Sequence, residues 1–273
     1  MIKEKISVLM GIYNCEDTLE EAVSCIIAQT YQNWELIMCD DGSSDNTYRI
    51  AQKLKEQDER IVLLKNESNQ GLNKTLNRCL KVSTGEIVAR MDGDDRCVPE
   101  RFEKQISFLK KQNKYKIVSS KMTFFDENGI WGENNVKSLP SKYDVLTGSP
   151  ICHAPVMMWK ECMIKVNGYT EDIHMLRVED VNLWIKLYAK GYYCYNMQEA
   201  LYSMRNDRAA AQRRKYCYRI NETYARWQGC HMMKVPVKYY LWGAKPLIVG
   251  LVPSKLRVLI RRKQAKKRNL KKY

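Results

Sequence analysis

The chain has 273 residues, 45% of them hydrophobic, and a formal net charge of +15. That composition excludes a disordered or fibrous chain and suffices for one large domain, or one domain with an appendage. The charge is uneven: from Thr223 to Tyr273 there are fourteen Lys and Arg and no Asp or Glu, so the first 222 residues are close to neutral. A basic tail suits an anionic surface, either lipid or nucleic acid. The ten cysteines contain no Cys-x-x-Cys pair, which excludes zinc-ribbon and thioredoxin-type sites. Residues 1–5 lead into a strand-like run and not a secretory signal. The expected setting is therefore a reducing cytosol, with the cysteines serving as small buried hydrophobes.

Residues 6–10 read as a first strand, with Gly11, Ile12, Tyr13 and Asn14 as the loop after it. Thr18 and Glu21 have capping-box spacing, and Leu19, Val23, Ile26 and Ile27 supply the apolar face of a helix. Residues 34–39 form a second strand that ends in the polar turn Asp40-Asp41-Gly42-Ser43-Ser44-Asp45. That turn offers caps for a helix over 47–56. A strand over 61–64, a helix over 72–81 and a strand over 87–91 complete an alternation that predicts a largely parallel sheet with helices on both faces.

The fourth strand runs directly into Asp92, Asp94 and Asp95 around Gly93. Open α/β sheets bind ligands at the carboxyl ends of their strands. Crowded carboxylates repel one another, so something positive must compensate them. Two readings are open: a solvated acidic turn before a helix, or oxygen ligands for Mg²⁺ or Mn²⁺ beside a phosphate-bearing substrate.

After Pro99 the pattern predicts an amphipathic helix over 100–111, a strand over 117–125, a turn at 126–129 and a hairpin-like return at Ile130 and Trp131. A strand over 156–159, a helix over 179–190, a strand over 192–197 and a helix over 208–227 follow. From Val235 the chain combines Tyr239, Tyr240, Leu241 and Trp242 with an aliphatic run broken by Lys245, Pro246 and Pro253, then a nearly pure basic end. The apolar stretch falls short of the roughly 20 residues of a spanning helix. It fits a segment lying at a membrane surface, or a docked helix with a basic end.

These residues together resemble glycosyltransferase family 2, the inverting, nucleotide-sugar-dependent enzymes of the GT-A fold. The matching pieces are residues 6–14, Gln29-Thr30-Tyr31, residues 34–37, the turn from Asp40 to Thr47, Asn69-Gln70-Gly71-Leu72, residues 89–95, Gly168-Tyr169, and Glu179-Asp180 with Leu183-Trp184. They stand in the family's order over about three quarters of the chain. The resemblance implies an α/β GT-A catalytic domain over 1–222, its nucleotide-binding half ending near 115. A basic, membrane-associating segment over 223–273 would follow.

It further implies that Ile12, Tyr13, Asp41, Arg90 and Asp92 bind the nucleotide, Asp41 reading the base ring NH. Asp94 would bind Mn²⁺ or Mg²⁺, and Asp180 would be the general base. Glu179, Trp184, His153 and Arg205 are acceptor-side or secondary candidates; for Trp184 a core position and a sugar platform are both open, and for His153 a structural role is too. Lys74 and Arg208 are further candidates for the diphosphate. Gln212-Arg213-Arg214 is loosely similar to the Gln-x-x-Arg-Trp motif of processive synthases, but the Trp is missing. The expected partners are a nucleotide-sugar donor, a lipid-linked or free oligosaccharide acceptor and an anionic membrane surface, without nucleic acid. The expected place is the cytoplasmic face of the cell membrane.

Overall fold

The structure, a computed structural model, describes residues 4–205 and 216–251. Strand and helix alternate as β1 (Ile6–Ile12), α1 (Leu19–Ile27), β2 (Trp34–Asp40), α2 (Thr47–Gln57), β3 (Ile61–Lys65), α3 (Leu72–Val82) and β4 (Ile87–Arg90). β1 pairs in parallel with β2 and β4, and β2 with β3. β2 is buried along its whole length because helices cover both faces of this half. Leu36 and Met38 face the side of α1, α2 and α4; Ile37 and Cys39 face the side of α3 and α7.

The chain continues through β5 (Arg96–Cys97), α4 (Arg101–Lys111), β6 (Ile117–Asp126), β7 (Gly129–Glu133), α5 (Lys142–Thr147), β8 (Met157–Trp159), α6 (Lys160–Lys165), α7 (Glu179–Ala189), β9 (Cys194–Arg205), α8 (Cys217–Met232), α9 (Lys238–Gly243) and α10 (Lys245–Leu251). Among the described residues all strands join one sheet, in the order β3-β2-β1-β4-β8-β6-β9-β5, with β7 paired to β6. The expected α/β class and parallel first half hold. The second half is mixed: β8 runs antiparallel to β4 and β6, and β9 parallel to β6 but antiparallel to β5.

Several local expectations change. The Thr18 side chain does not cap α1; its hydroxyl donates to the Gly93 carbonyl at 2.9 Å, tying the helix entry to the acidic turn. β9 outruns its predicted 192–197 because register shifts around Lys121 let it pair with the far end of β6 despite the polar Gln198 and Glu199. The short α5 and α6 have too few turns to show helical periodicity. The predicted helix over 208–227 is represented by α8 from Cys217; Arg208 and the Gln212-Arg213-Arg214 run lie outside the described residues.

The expected boundary between residues 222 and 223 falls inside α8 (Cys217–Met232). α8 buries Thr223, Ala225, Arg226, Gly229 and Cys230. A Cβ at Gly229 would meet Leu146 of α5 at 2.8 Å and Ile185 of α7 at 2.9 Å, so α8 lies against both. α9 and α10 pack on α8, where the Trp227 indole NH donates to the Tyr240 carbonyl at 2.9 Å, and α9 also meets α5, where Tyr239 stacks on Tyr143 at 4.5 Å. No helix among the described residues is long and apolar enough to cross a membrane. The basic run from Lys255 onward lies outside them. All ten cysteines are free thiols and seven are buried, as expected of small core residues.

Glu35 fastens the amino-end edge of the parallel half. Its carboxylate accepts from the Ser7 hydroxyl at 2.5 Å, the Thr84 NH at 2.6 Å and the Lys5 ammonium at 2.9 Å. Burial opposes its charge, but those donors outweigh burial and hold it at about 2. Its stabilising contribution is full above the ordinary value of 4.5 and is lost as pH falls toward about 2. Glu35→Ala strands buried donors and is expected to cost about 1–3 kcal/mol at neutral pH. Urea unfolding at pH 7 measures that loss, and the mutant should unfold with a weaker acid dependence than the parent.

Candidate active site

β1, β2 and β4 are parallel, so their carboxyl ends meet at one edge of the sheet. Ile12 closes β1, Asp41 follows β2 and the acidic turn follows β4. The turn after β2 needs Gly42: its φ is +73°, and a Cβ there would meet the Ser68 backbone at 2.7 Å. Asp41 is buried and accepts from the Asn66 amide at 2.6 Å, the Gln70 NH at 2.8 Å and the Gly71 NH at 2.9 Å. A carboxylate has about four acceptor positions, so one stays open for a further donor.

The acidic turn is held from both halves of the sheet. The Asp92 NH donates to the Tyr202 hydroxyl at 3.2 Å, and Asp95 accepts the Arg205 NH at 2.7 Å. The Arg205 guanidinium donates to the Asp94 carbonyl at 3.1 Å and pairs with Glu21 at 3.2 Å. Burial, and after it the nearby Asp92, pushes Asp94 up to about 6 and Asp95 up to about 8. Beneath the turn Arg90 is buried, with a terminal nitrogen 2.5 Å from Asp92. Burial disfavours its charge, but Asp92 together with Tyr169, Tyr202 and Glu179 outweighs burial and raises its pKa.

Two cavities meet here. One, of about 610 Å³, is lined by Ile12, Tyr13, Asp41, Asp92, Asp94 and Arg205 among others. The other, of about 590 Å³, lies along α7, α8 and α10 and is lined by His153, Asp180, Arg219, Glu222, Arg226 and Lys245 among others. Asp94, Arg177, Glu179, Arg205 and Tyr218 border both. Burial, then the adjacent Asp180, pushes Glu179 up to about 7. Asp180 is raised too, mainly by burial; its carboxylate accepts the Val181 NH at 2.8 Å.

The structure thus brings Ile12, Tyr13, Asp41, Asp92 and Asp94 to one cavity, Asp180 and His153 to the other, and Glu179 and Arg205 to their junction. Three candidates move. Arg90 lines neither cavity; it is buried against Asp92 and acts on the site through charge. Trp184 is 1% exposed and offers no face to a sugar, so of its two readings the core position holds. Lys74 is exposed and lines neither cavity. His153 shares a 2.8 Å hydrogen bond with the Tyr169 hydroxyl, and burial, with Arg90, holds it well below the usual histidine range. It is a neutral partner in the wall.

Sequence reading missed Arg177, Tyr218, Arg219, Glu222 and Lys245. Arg219, Glu222 and Arg226 do carry helical ion-pair spacing, with Glu222 2.8 Å from each arginine. Among the described residues no three His, Cys, Asp or Glu side chains converge as a metal cage. Asp92 and Asp94 offer a pair of carboxylates. Such a pair fits Mg²⁺ or Mn²⁺, which take one or two carboxylates and complete their shells with water and phosphate oxygens.

A half-parallel sheet with an acidic turn at its strand ends and an adjoining cavity carrying a second acidic pair is the GT-A arrangement, shared with solved glycosyltransferases. The chain belongs to glycosyl transferase family 2, whose model matches residues 7–164; that of glycosyl transferase family group 2 matches residues 87–263. It is 42% identical over 251 residues to EpsE of Bacillus subtilis (strain 168), a protein named as a glycosyltransferase, covering 92% of this chain and 90% of that one. Over 109 residues it is 41% identical to the Escherichia coli UDP-Glc:alpha-D-GlcNAc-diphosphoundecaprenol beta-1,3-glucosyltransferase WfgD, covering 40% of this chain and 42% of that one. Among solved structures it is similar to the mannosyltransferase PcManGT from Pyrobaculum calidifontis in complex with GDP-Man and Mn²⁺, with a TM-score of 0.63, 18% identity and coverage of 97% and 81%.

Arg90 lowers the pKa values of Asp94, Glu179 and Asp180. Arg90→Gln should therefore move the Asp94 and Glu179 titrations, centred near pH 6 and 7, upward by about one unit. Carboxyl carbon NMR across pH 4–9 measures the shift, and titrations that stay in place would remove Arg90 as the site's balancing charge.

Proposed function

We propose that the protein moves one sugar from a nucleoside-diphosphate donor, a UDP-sugar, to a hydroxyl of a lipid-linked saccharide, with inversion, in the assembly of a cell-surface polysaccharide. The observation that carries this reading is the meeting of two cavities at Asp94 and Glu179, with the Asp92–Asp94 pair in one and Asp180 in the other. The name of WfgD, which specifies UDP-Glc and a diphosphoundecaprenol-linked acceptor, supports the donor and acceptor classes.

In this reading Ile12, Tyr13, Asp41 and Asp92 hold the nucleotide, and the open acceptor position of Asp41 takes the base NH. Mn²⁺ or Mg²⁺ at Asp94 would neutralise charge on the departing diphosphate; PcManGT, in complex with Mn²⁺, supports that assignment. Asp180 takes the proton of the acceptor hydroxyl. The hydroxyl oxygen bonds to the anomeric carbon as the bond from that carbon to the diphosphate oxygen breaks, and the nucleoside diphosphate leaves from the opposite face. The raised pKa of Asp180 brings its basicity closer to working pH, where a general base is most effective.

The place of work is the inner surface of the cell membrane, reached through the carboxyl-terminal segment. Val237, Leu241 and Trp242 are exposed around α9, near Lys234 and Lys238. Apolar side chains among lysines are the composition of a helix that lies in a headgroup layer.

Titration calorimetry with a panel of nucleoside diphosphates, with and without Mn²⁺, tests the donor site. One nucleotide should bind in a metal-dependent way, and Asp94→Ala should abolish that dependence. Asp180→Asn should keep donor binding and lose at least about a thousandfold in transfer; full transfer in that variant would remove Asp180 as base. Leu241→Glu combined with Trp242→Glu should weaken sedimentation with anionic vesicles several-fold, and unchanged sedimentation would sink the membrane assignment.

A further inference from the structure

Five cations line the second cavity beside the carboxylates of Asp94, Glu179, Asp180 and Glu222, and two of the five are left without a partner among the described residues. Arg177, Arg205, Arg219, Arg226 and Lys245 all line it. Part of that charge is committed. Arg205 pairs with Glu21, and Arg219 and Arg226 share the single carboxylate of Glu222. Arg226 is 3% exposed and also donates to the carbonyls of Val145 and Gly148, so it braces α8 against α5. Arg177 and Lys245 have no ion-pair or hydrogen-bond partner for their side chains among the described residues.

The backbone at Arg177 adds a second observation. Its φ is +62°, a left-handed conformation that a non-glycine residue adopts at a cost, and the neighbouring Val178 NH is held by the Met175 carbonyl at 3.3 Å. Such strain marks positions where a side chain is placed for use. Here it sets a guanidinium at the junction of the two cavities, three residues before Asp180. Arginine and lysine on one cavity wall without carboxylate partners are a usual recognition set for phosphate.

Two points separate this anion from the donor's diphosphate. Lys245 and Arg219 line only the second cavity, whereas Asp92 and Asp41 line only the first. An apolar surface also adjoins it. Pro246 and Val249 of α10 line the cavity, and Ile248 and Leu251 of the same helix are 69% and 74% exposed.

We propose that the second cavity holds the diphosphate of the acceptor through Arg177 and Lys245, and that the acceptor's isoprenoid chain leaves over Ile248 and Leu251. This rests on the reading of the protein as a transferase to a lipid-linked saccharide. In this proposal the acceptor sugar, carried on that diphosphate, meets Asp180 in the same cavity. The reaction that supplies such an acceptor is the transfer of a phosphosugar onto a lipid phosphate.

The test is calorimetry on the full chain loaded with UDP and Mn²⁺, titrated separately with farnesyl diphosphate, inorganic pyrophosphate and farnesol. Farnesyl diphosphate should bind with UDP in place, more tightly than pyrophosphate or farnesol. Arg177→Gln and Lys245→Gln should each weaken it about tenfold, and Lys245→Gln should leave UDP affinity unchanged. Farnesyl diphosphate that binds only when UDP is absent, or equally well to Lys245→Gln, overturns the subsite. Pyrophosphate binding as tightly as farnesyl diphosphate overturns the lipid exit. A wild-type chain that binds no nucleoside diphosphate fails at the donor site instead, which the loading step reads separately.

Discussion

The site depends on one buried guanidinium. Arg90 ends β4, directly before the acidic turn, and its charge is felt by Asp92, Asp94, Glu179 and Asp180. In a partly desolvated setting these four carboxylates cannot all ionise without penalty, even with Arg90 buried among them and Arg177, Arg205 and Arg226 nearby. The result is a graded set, with Asp92 paired to Arg90 and Asp94 and Glu179 lifted to about 6 and 7. The same guanidinium adds to the burial that keeps His153 neutral, so the wall of the second cavity gains no charge there.

The acidic turn gets its shape from parts of the chain far from it in sequence. Thr18 holds Gly93 from α1, while Tyr202 and Arg205 hold Asp92, Asp94 and Asp95 from β9. β9 pairs with β5 and β6 and so belongs to the mixed half of the sheet. The parallel half supplies strand ends that open onto one cavity, and the mixed half fixes the carboxylates at its mouth. Neither half makes the site alone, which is why a bond such as Arg205 NH to Asp95 spans 110 positions.

The parallel half was legible because its strands are short apolar runs and its helices are long enough to show their period. The acidic turn and Glu179-Asp180 were legible as motifs, and the structure brings both to adjoining cavities. The limits were physical. Arg90 read as a ligand candidate and Trp184 as either core or sugar platform, and only the fold shows that the first is buried against Asp92 and the second packed in the core. The reach of β9 depends on register shifts opposite Lys121, a tertiary matter with no local signature. The change of charge near Thr223 carried no signal for the packing of α8, because charge reports on surface and α8 is held by its buried face at Gly229.

Two cavities that share Asp94, Arg177, Glu179, Arg205 and Tyr218 cannot be filled independently. Whatever occupies the first changes the charge and protonation of groups that the occupant of the second will meet. Thermodynamic linkage makes that influence mutual: if one ligand tightens or loosens the other by some factor, the reverse effect has the same size. The shared wall is thus a coupling device built from side chains alone, with no moving domain required. Order of binding and tolerance of a wrong partner then become properties of five residues and not of either cavity by itself.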